Sequence, residues 1–259
     1  MRAIRALGLL EIAEESRYLY IRSKNAARNR RFRKSFPNIA LPPARLLYET
    51  SSGVDYQAYF EGGRYAAELI WRYVPEHLRA QTRVICEWGC GNSRVIRHMP
   101  TMAGASFTRM IGTDYDERMI RWSSSSLPGI EFKKNDVRPP LPLDDSSVDC
   151  LYAVSVLTHL DEELQREWIA EIFRVLRPGG IMILTTHSEG TKELLSDEER
   201  RRYDRDEMVI RSARRMGGRL FASYASPGVM RRLFQAGTIL EHFPAGIGNQ
   251  DVWVVQRRP

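Results

Sequence analysis

The sequence predicts an α/β fold built on a mostly parallel sheet, and three observations predict it. From residue 83 onward, short apolar runs alternate with amphipathic helical patterns, the order expected of strands joined by right-handed crossovers. The first apolar run ends on an acid, then a Gly-x-Gly turn that opens into a helical pattern. Two further acids close the next two apolar runs, so carboxylates stand at the carboxyl ends of three successive strands.

Taken in chain order, residues 1–45 read as a helical extension: an amphipathic helix, a basic run, and a stop at Pro37, Pro42 and Pro43. The main domain is expected over 46–259. Its segment 55–78 reads as helical after Gly62–Gly63, with Tyr65, Leu69 and Tyr73 at helical spacing. RVICEW (83–88) is the first strand and SRVIRHM (93–99) a helix. RMIGTDY (109–115), a helix in ERMIRWSS (117–124) and a third strand in GIEFKK (129–134) follow. SVDCLYAVS (147–155) is the fourth strand, DEELQREWIAEIFRVL (161–176) a long helix, and GGIMILTTH (179–187) the fifth strand. Residues 191–226 are expected to form an insertion. Its first part is helical by propensity, and MVIRSARRMGGRLFASY (208–224) is a hairpin or a mobile lid. Ser226 and Pro227 then suit the cap and first position of a helix over 226–234. Two strands, TILEHF (238–243) and DVWVVQRR (251–258), end the chain, which makes seven in the main sheet.

Length and composition suit one large α/β domain with an appendage. Hydrophobic residues make up 43% and charged ones 27%, ordinary for a globular protein. No apolar run reaches membrane-span length, and the opening stretch is broken by Glu11, Glu14 and Glu15, unlike a secretory leader; a cytoplasmic location is expected. Cys86, Cys90 and Cys150 have neither disulfide-framework nor zinc spacing and read as small buried residues. The net charge of +7 resides in one place. Arg22, Lys24, Arg28, Arg30, Arg31, Arg33 and Lys34 equal the whole excess, with no acid among them. That concentration argues against a continuous nucleic-acid face. The run reads as a solvated helix face, a clamp for a phosphate-bearing acceptor, or a contact to an anionic membrane surface at the inner face of the membrane or to RNA.

The chemistry concentrates in Val84-Ile85-Cys86-Glu87-Trp88-Gly89-Cys90-Gly91-Asn92-Ser93. The glycines let the backbone turn sharply and approach a ligand with no Cβ in the way. A dinucleotide fingerprint needs a third glycine at 94, where Arg94 stands, and an acid before the glycines suits a cationic amine better than a pyrophosphate. Asp114 closes the second strand, where a carboxylate can accept both hydroxyls of a ribose. Tyr115 can pack on an adenine face, and Asp136 can accept from the adenine amino group.

Glu87-x-Gly89-x-Gly91 resembles the acidic glycine-rich motif of class I S-adenosylmethionine-dependent methyltransferases, with Ser93 in place of the usual third glycine. LPLDDSSVDCLYAVSVLTHL (141–160), FRVLRPGGIMIL (173–184) and the terminal strand pair are similar to the same family, over roughly residues 55–259. The resemblance implies a Rossmann-like seven-stranded sheet with its last strand antiparallel and helices on both faces, and S-adenosyl-L-methionine as cofactor. It also implies that Glu87 and the loop, Cys90 included, hold the methionine end, Asp114 the ribose, and Asp136 and Val137 the adenine, with Ser155 beside them.

For the methyl acceptor, candidates must lie along the carboxyl edge of the sheet. His159 follows the fourth strand and His187 ends the fifth; either has a pKa suited to take a proton from a hydroxyl. The 245–250 connection falls on the same edge and places Asn249, Gln250 and Asp251 there, with Tyr59 a further acceptor contact. His77, His98 and His242 read as structural or exposed. Motifs for methylation of nucleobase amines, cytosine carbon and protein arginine are not recognisable, and no Asp/Asp/Asn set assembles for magnesium, so no metal is expected. What remains is O-methylation of a small molecule or saccharide. Two other readings stay open: an RNA or protein methyltransferase docking through the basic extension, and a cofactor-binding module without catalysis.

Overall fold

The computed structural model describes residues 9–102, 107–212 and 221–259. Seven strands form one sheet: β1 (Val84–Trp88), β2 (Arg109–Asp114), β3 (Glu131–Lys134), β4 (Val148–Ala153), β5 (Leu176–His187), and, after a separate hairpin, β8 (Gly237–Ile247) and β9 (Gln250–Arg257). Their spatial order is β3-β2-β1-β4-β5-β9-β8. The first five run parallel, and β9 runs antiparallel between β5 and β8. The chain order therefore reverses between β1 and β4. In open α/β sheets ligands bind at the carboxyl edge beside such a reversal.

Every residue of β4 is buried, as a strand covered on both faces requires. On one face Trp88, Leu151, Leu184 and Trp253 pack beneath α8 (Glu162–Val175), which contributes Trp168, and α10 (Pro227–Leu233). On the other Ile85, Tyr152, Ile183 and Val254 meet Ala66, Ala67 and Ile70 of α4 (Tyr56–Tyr73). The helix starts follow their caps. Asp55, Asp116, Asp161 and Ser226 each accept from the first turn of a helix, Asp116 opening α7 (Glu117–Ser126).

Several elements depart from the sequence-based expectation. The helix α4 starts at Tyr56 and runs straight through Gly62–Gly63; Tyr65 is on its outer face, while Leu69 is buried. The glycine stays in the helix because a Cβ on Gly63 would lie 2.0 Å from the carbonyl oxygen of Arg94. After β1 there is no regular helix but a turn, a 3-10 segment at Ile96–His98 and the single turn α6 (Met99–Met102), preceded in the chain by the short α5 (Glu76–Arg79). Glu87 accepts from the backbone N–H of Ile96, which holds this segment against the strand end. The last two strands absorb most of their connection, leaving two residues between Ile247 and Gln250.

The extension comprises α1 (Leu9–Lys24) and α2 (Ala26–Ser35), and α3 (Ala44–Ser51) crosses the expected boundary at 45/46. Buried Asn29 fastens α2: its Nδ2 donates to the carbonyl of Val54, and its Oδ1 accepts from the N–H of Tyr56. Phe32, Leu47, Tyr56 and Tyr59 pack around that anchor. The basic run is thus folded onto the domain. Within the 191–226 insertion, a 3-10 segment at Glu189–Leu194 and α9 (Asp197–Asp204) lead to an antiparallel pair, β6 (Val209–Ser212) with β7 (Phe221–Tyr224). Residues 1–8 of the expected extension and 213–220 of the expected hairpin or lid lie outside the described residues.

Candidate active site

A cavity of about 800 Å³ opens at the carboxyl edge of the sheet, beside the reversal of strand order. Its wall includes Glu87, Gly89, Cys90, Gly91, Asp114, Tyr115, Asp136, Val137 and Ser155, which the sequence selected, together with Tyr59 and His159. His187, Asn249, Gln250 and Asp251 are not on that wall.

The turn after β1 is made by backbone that only glycine adopts easily. Gly89 has φ +71° and Gly91 φ +51°. A Cβ on Gly89 would meet Val156 Cγ2 at 2.3 Å, so a side chain there would displace the loop after β4. Ser93, the departure from the glycine pattern, is fully buried at φ +58°, and its hydroxyl bonds Ser123 Oγ of α7 at 2.7 Å. The serine fills the close helix contact with a hydrogen bond.

Glu87 is buried, and Oε2 accepts from the Ile96 N–H at 2.8 Å and from the Tyr152 hydroxyl at 3.1 Å. Burial outweighs these donors and pushes its carboxyl up to about 8. Asp114 accepts from the N–H of Gly91 and of Asp116, both at 2.8 Å, and so ties the second strand to the glycine turn. Burial raises it to about 6. Asp136, by contrast, is on the rim with its side chain 85% exposed and paired to Lys134 at 3.1 Å. Its neighbour Asn135 is buried, and Asn135 Oδ1 has no hydrogen-bond partner among the described residues. Val137 contributes its carbonyl to the indole N–H of Trp168.

Both histidines present the same tautomer. His159 Nδ1 donates to the carbonyl of Phe221 at 2.8 Å, and His187 Nδ1 to that of Ser223 at 2.9 Å. Alternate carbonyls of β7 therefore hold the two rings, and each Nε2 has no partner among the described residues. Burial lowers both below the usual histidine range, so both are neutral at pH 7. Only His159 reaches the cavity; His187 stacks on Tyr224 with ring centroids 4.5 Å apart.

The last connection serves packing. Asp251 accepts from His242 Nε2 at 2.8 Å and from the N–H of Ala245, and Asn249 offers its carbonyl to Ser188. Gln250 links Thr185, which donates to its Oε1, to Ser155 Oγ, which accepts from its Nε2. These three residues were expected at the acceptor. They are instead engaged one layer behind the wall, because β8 and β9 extend further than their apolar cores suggest. Tyr59 is on the wall, but its hydroxyl is occupied: it donates to the Asn92 carbonyl at 2.7 Å and accepts from Arg97 at 3.1 Å.

Other wall residues carried little signal in sequence. Arg94 is half-buried beside Glu87 and has no acceptor among the described residues; in sequence it registered only as a missing glycine. The end of α3 roofs the glycine turn: Asn92 Nδ2 donates to Thr50 Oγ1 at 2.7 Å, and Arg118 bridges Glu49 and Asp116 at 2.6 Å each. Nothing local in 44–51 foretells that role. Among the described residues no cluster of His, Cys, Asp or Glu is arranged to hold a metal ion.

Residues 86–184 match a family described as a methyltransferase domain. A probable S-adenosylmethionine-dependent methyltransferase of Mycolicibacterium smegmatis is 33% identical over 108 residues, 42% of this chain and 39% of that protein. A malonyl-[acyl-carrier protein] O-methyltransferase of Pectobacterium atrosepticum is 27% identical over 141 residues, 54% of this chain and 52% of that protein. The chain thus spans about half or less of the length of these curated relatives. Among solved structures, the PH0226 protein of Pyrococcus horikoshii superposes with a TM-score of 0.56 at 17% identity, over 88% of this chain and 99% of that one. The last likeness shows a shared fold.

Proposed function

We propose that this chain, whose residues 86–184 match a methyltransferase domain, is an S-adenosylmethionine-dependent methyltransferase that methylates a hydroxyl oxygen of a small molecule or saccharide with His159 as general base. The cavity suits the cofactor in its donor set. Arg94, unpaired, would take the carboxylate of the methionine end through its fork. Asp114 would accept from the ribose hydroxyls, and the orphaned Oδ1 of Asn135 from the adenine amino group, with Tyr115 against the ring. Bound there, the cofactor supplies an electrophilic methyl carbon on a sulfonium.

The chain's part is alignment, exclusion of water and removal of one proton. The observation that carries the reading is the pinned tautomer of His159. With Nδ1–H committed to Phe221, Nε2 keeps its lone pair, and His159 lines the cavity. Nε2 would take the acceptor's hydroxyl proton as that oxygen receives the methyl group. His187 is then a positioning residue, holding β7 through Ser223.

Incubation with methyl-labelled cofactor and a fractionated lysate tests this, with Asp114→Ala as the control that loses cofactor. Label is expected in the small-molecule or saccharide fraction. His159→Gln is expected to lower kcat by about 10²–10⁴-fold at unchanged cofactor affinity. The acid limb of the wild-type pH–rate profile should have its midpoint below the ordinary histidine range, since burial has lowered the pKa. Label confined to RNA or protein, or full turnover in His159→Gln, would overturn the proposal.

A further inference from the structure

The outer face of the extension combines two kinds of exposure that rarely coincide. The ladder of helical hydrogen bonds continues from α1 into α2, through Asn25 N–H to Ile21 and Asn29 N–H to Asn25. One stripe of this long helix, Tyr18, Asn29 and Phe32, is buried on the domain. The opposite stripes carry Leu19, Ser23, Ala26 and Arg30, and beside them Tyr20, Lys24, Ala27, Arg31 and Lys34, at spacings of three and four. Large apolar side chains on this side face water: Ile12 is 63% exposed, Leu19 53% and Tyr20 65%.

Beyond Glu15, which is paired to Arg45, the charge on this face is of one sign. Between Glu15 and Glu49 the chain holds no acid. Arg28 is paired with Asp55 at 2.6 Å, and Arg33 is spent on the Tyr56 hydroxyl and ring. Arg22, Lys24, Arg30, Arg31 and Lys34 are exposed and have no partner among the described residues. A phosphate clamp would need these guanidinium groups to converge on a pocket; here they spread along a convex helix. A solvated face would not need three large apolar side chains beside them.

We propose that the outer face of α1–α2 docks on an anionic lipid surface, with Ile12, Leu19 and Tyr20 entering the headgroup layer and the five free cations meeting lipid phosphates. Charge complementarity selects this occupant: an extended plane of phosphates matches an extended stripe of cations, while apolar side chains find acyl chains directly below. Docking leaves the cleft open, because α1 turns the other way to contribute Glu14 to the cavity rim. The inference is independent of the acceptor's identity.

Co-sedimentation of the full chain with vesicles tests it, using phosphatidylcholine with about one third phosphatidylglycerol against phosphatidylcholine alone. Binding is expected to the anionic vesicles only, and to weaken with salt. Arg30→Glu/Arg31→Glu/Lys34→Glu should reduce it by at least about tenfold. Ile12→Ser/Tyr20→Ser should reduce it at unchanged salt dependence. Both variants keep the wild-type melting temperature, since none of these side chains is buried. Absence of binding to anionic vesicles, or equal binding by all three proteins, overturns the proposal. So does a stable dimer that both variants dissolve, which would assign the face to a second copy of the chain.

Discussion

Glu87 shows what one buried carboxyl does to the chain around it. Its pKa rises from 4.5 to about 8 because burial penalises the charged form more than Ile96 and Tyr152 relieve it. Between those values the folded state holds a proton that the unfolded chain has released. The contribution is therefore fully present below pH 4.5 and lost as pH rises through about 8. At 1.36 kcal/mol per unit the whole shift is worth roughly 5 kcal/mol. Glu87→Gln keeps an acceptor for the Ile96 N–H and removes the titration. Thermal melts should show the variant matching wild type near pH 4.5 and exceeding it at pH 8.5; parallel pH curves would contradict this account. In the sequence, the acid before the glycines was legible as a site residue. Its protonation was not, since that depends on Tyr152 and on the burial of the whole strand end.

At the scale of elements, α4 approaches the glycine turn most tightly at Gly63. A Cβ on Gly63 would sit 2.0 Å from the Arg94 carbonyl, whereas one on Gly62 would meet nothing nearer than the Arg94 guanidinium at 3.7 Å. Adjacent glycines in one helix thus have opposite meanings. Gly62→Ala should be neutral or stabilise by up to about 1 kcal/mol, from helix propensity. Gly63→Ala should destabilise by about 1–3 kcal/mol, because backbone must move. It should also weaken cofactor binding, since the displaced segment carries Arg94. Paired melts and cofactor titrations distinguish the two. The sequence suggested that the glycine pair opens the helix, because glycine usually punctuates one; a close approach from a distant segment overrode that preference.

The whole molecule is a three-layer sandwich whose middle strands have no exposed face. Ile183 of β5 is fully buried, packed in the cluster with Ile85, Tyr152 and Val254. Ile183→Ala should cost about 2–5 kcal/mol, lost methylenes plus the cavity they leave. Tyr65→Ala on the exposed side of α4 should stay within about 0.5 kcal/mol. Denaturant titration of both variants checks that contrast. A helical stripe through Tyr65 would have reversed it.

The sequence by itself determined the strand–helix alternation, the strand-end acids Glu87 and Asp114, and the glycine turn between them. These are local: apolar runs, turn residues and an acid at a strand end are each written within a few positions. Only the tertiary structure decided which histidine faces the cavity. The tautomers of His159 and His187 are set by carbonyls of β7, more than thirty residues away. It also decided that Asn249, Gln250 and Asp251 are engaged in packing, that Asn135 is buried while Asp136 is exposed on the rim, and that α3 roofs the glycine turn. Side-chain direction and partner choice follow from how distant segments share space. A single chain read in order carries no term for that.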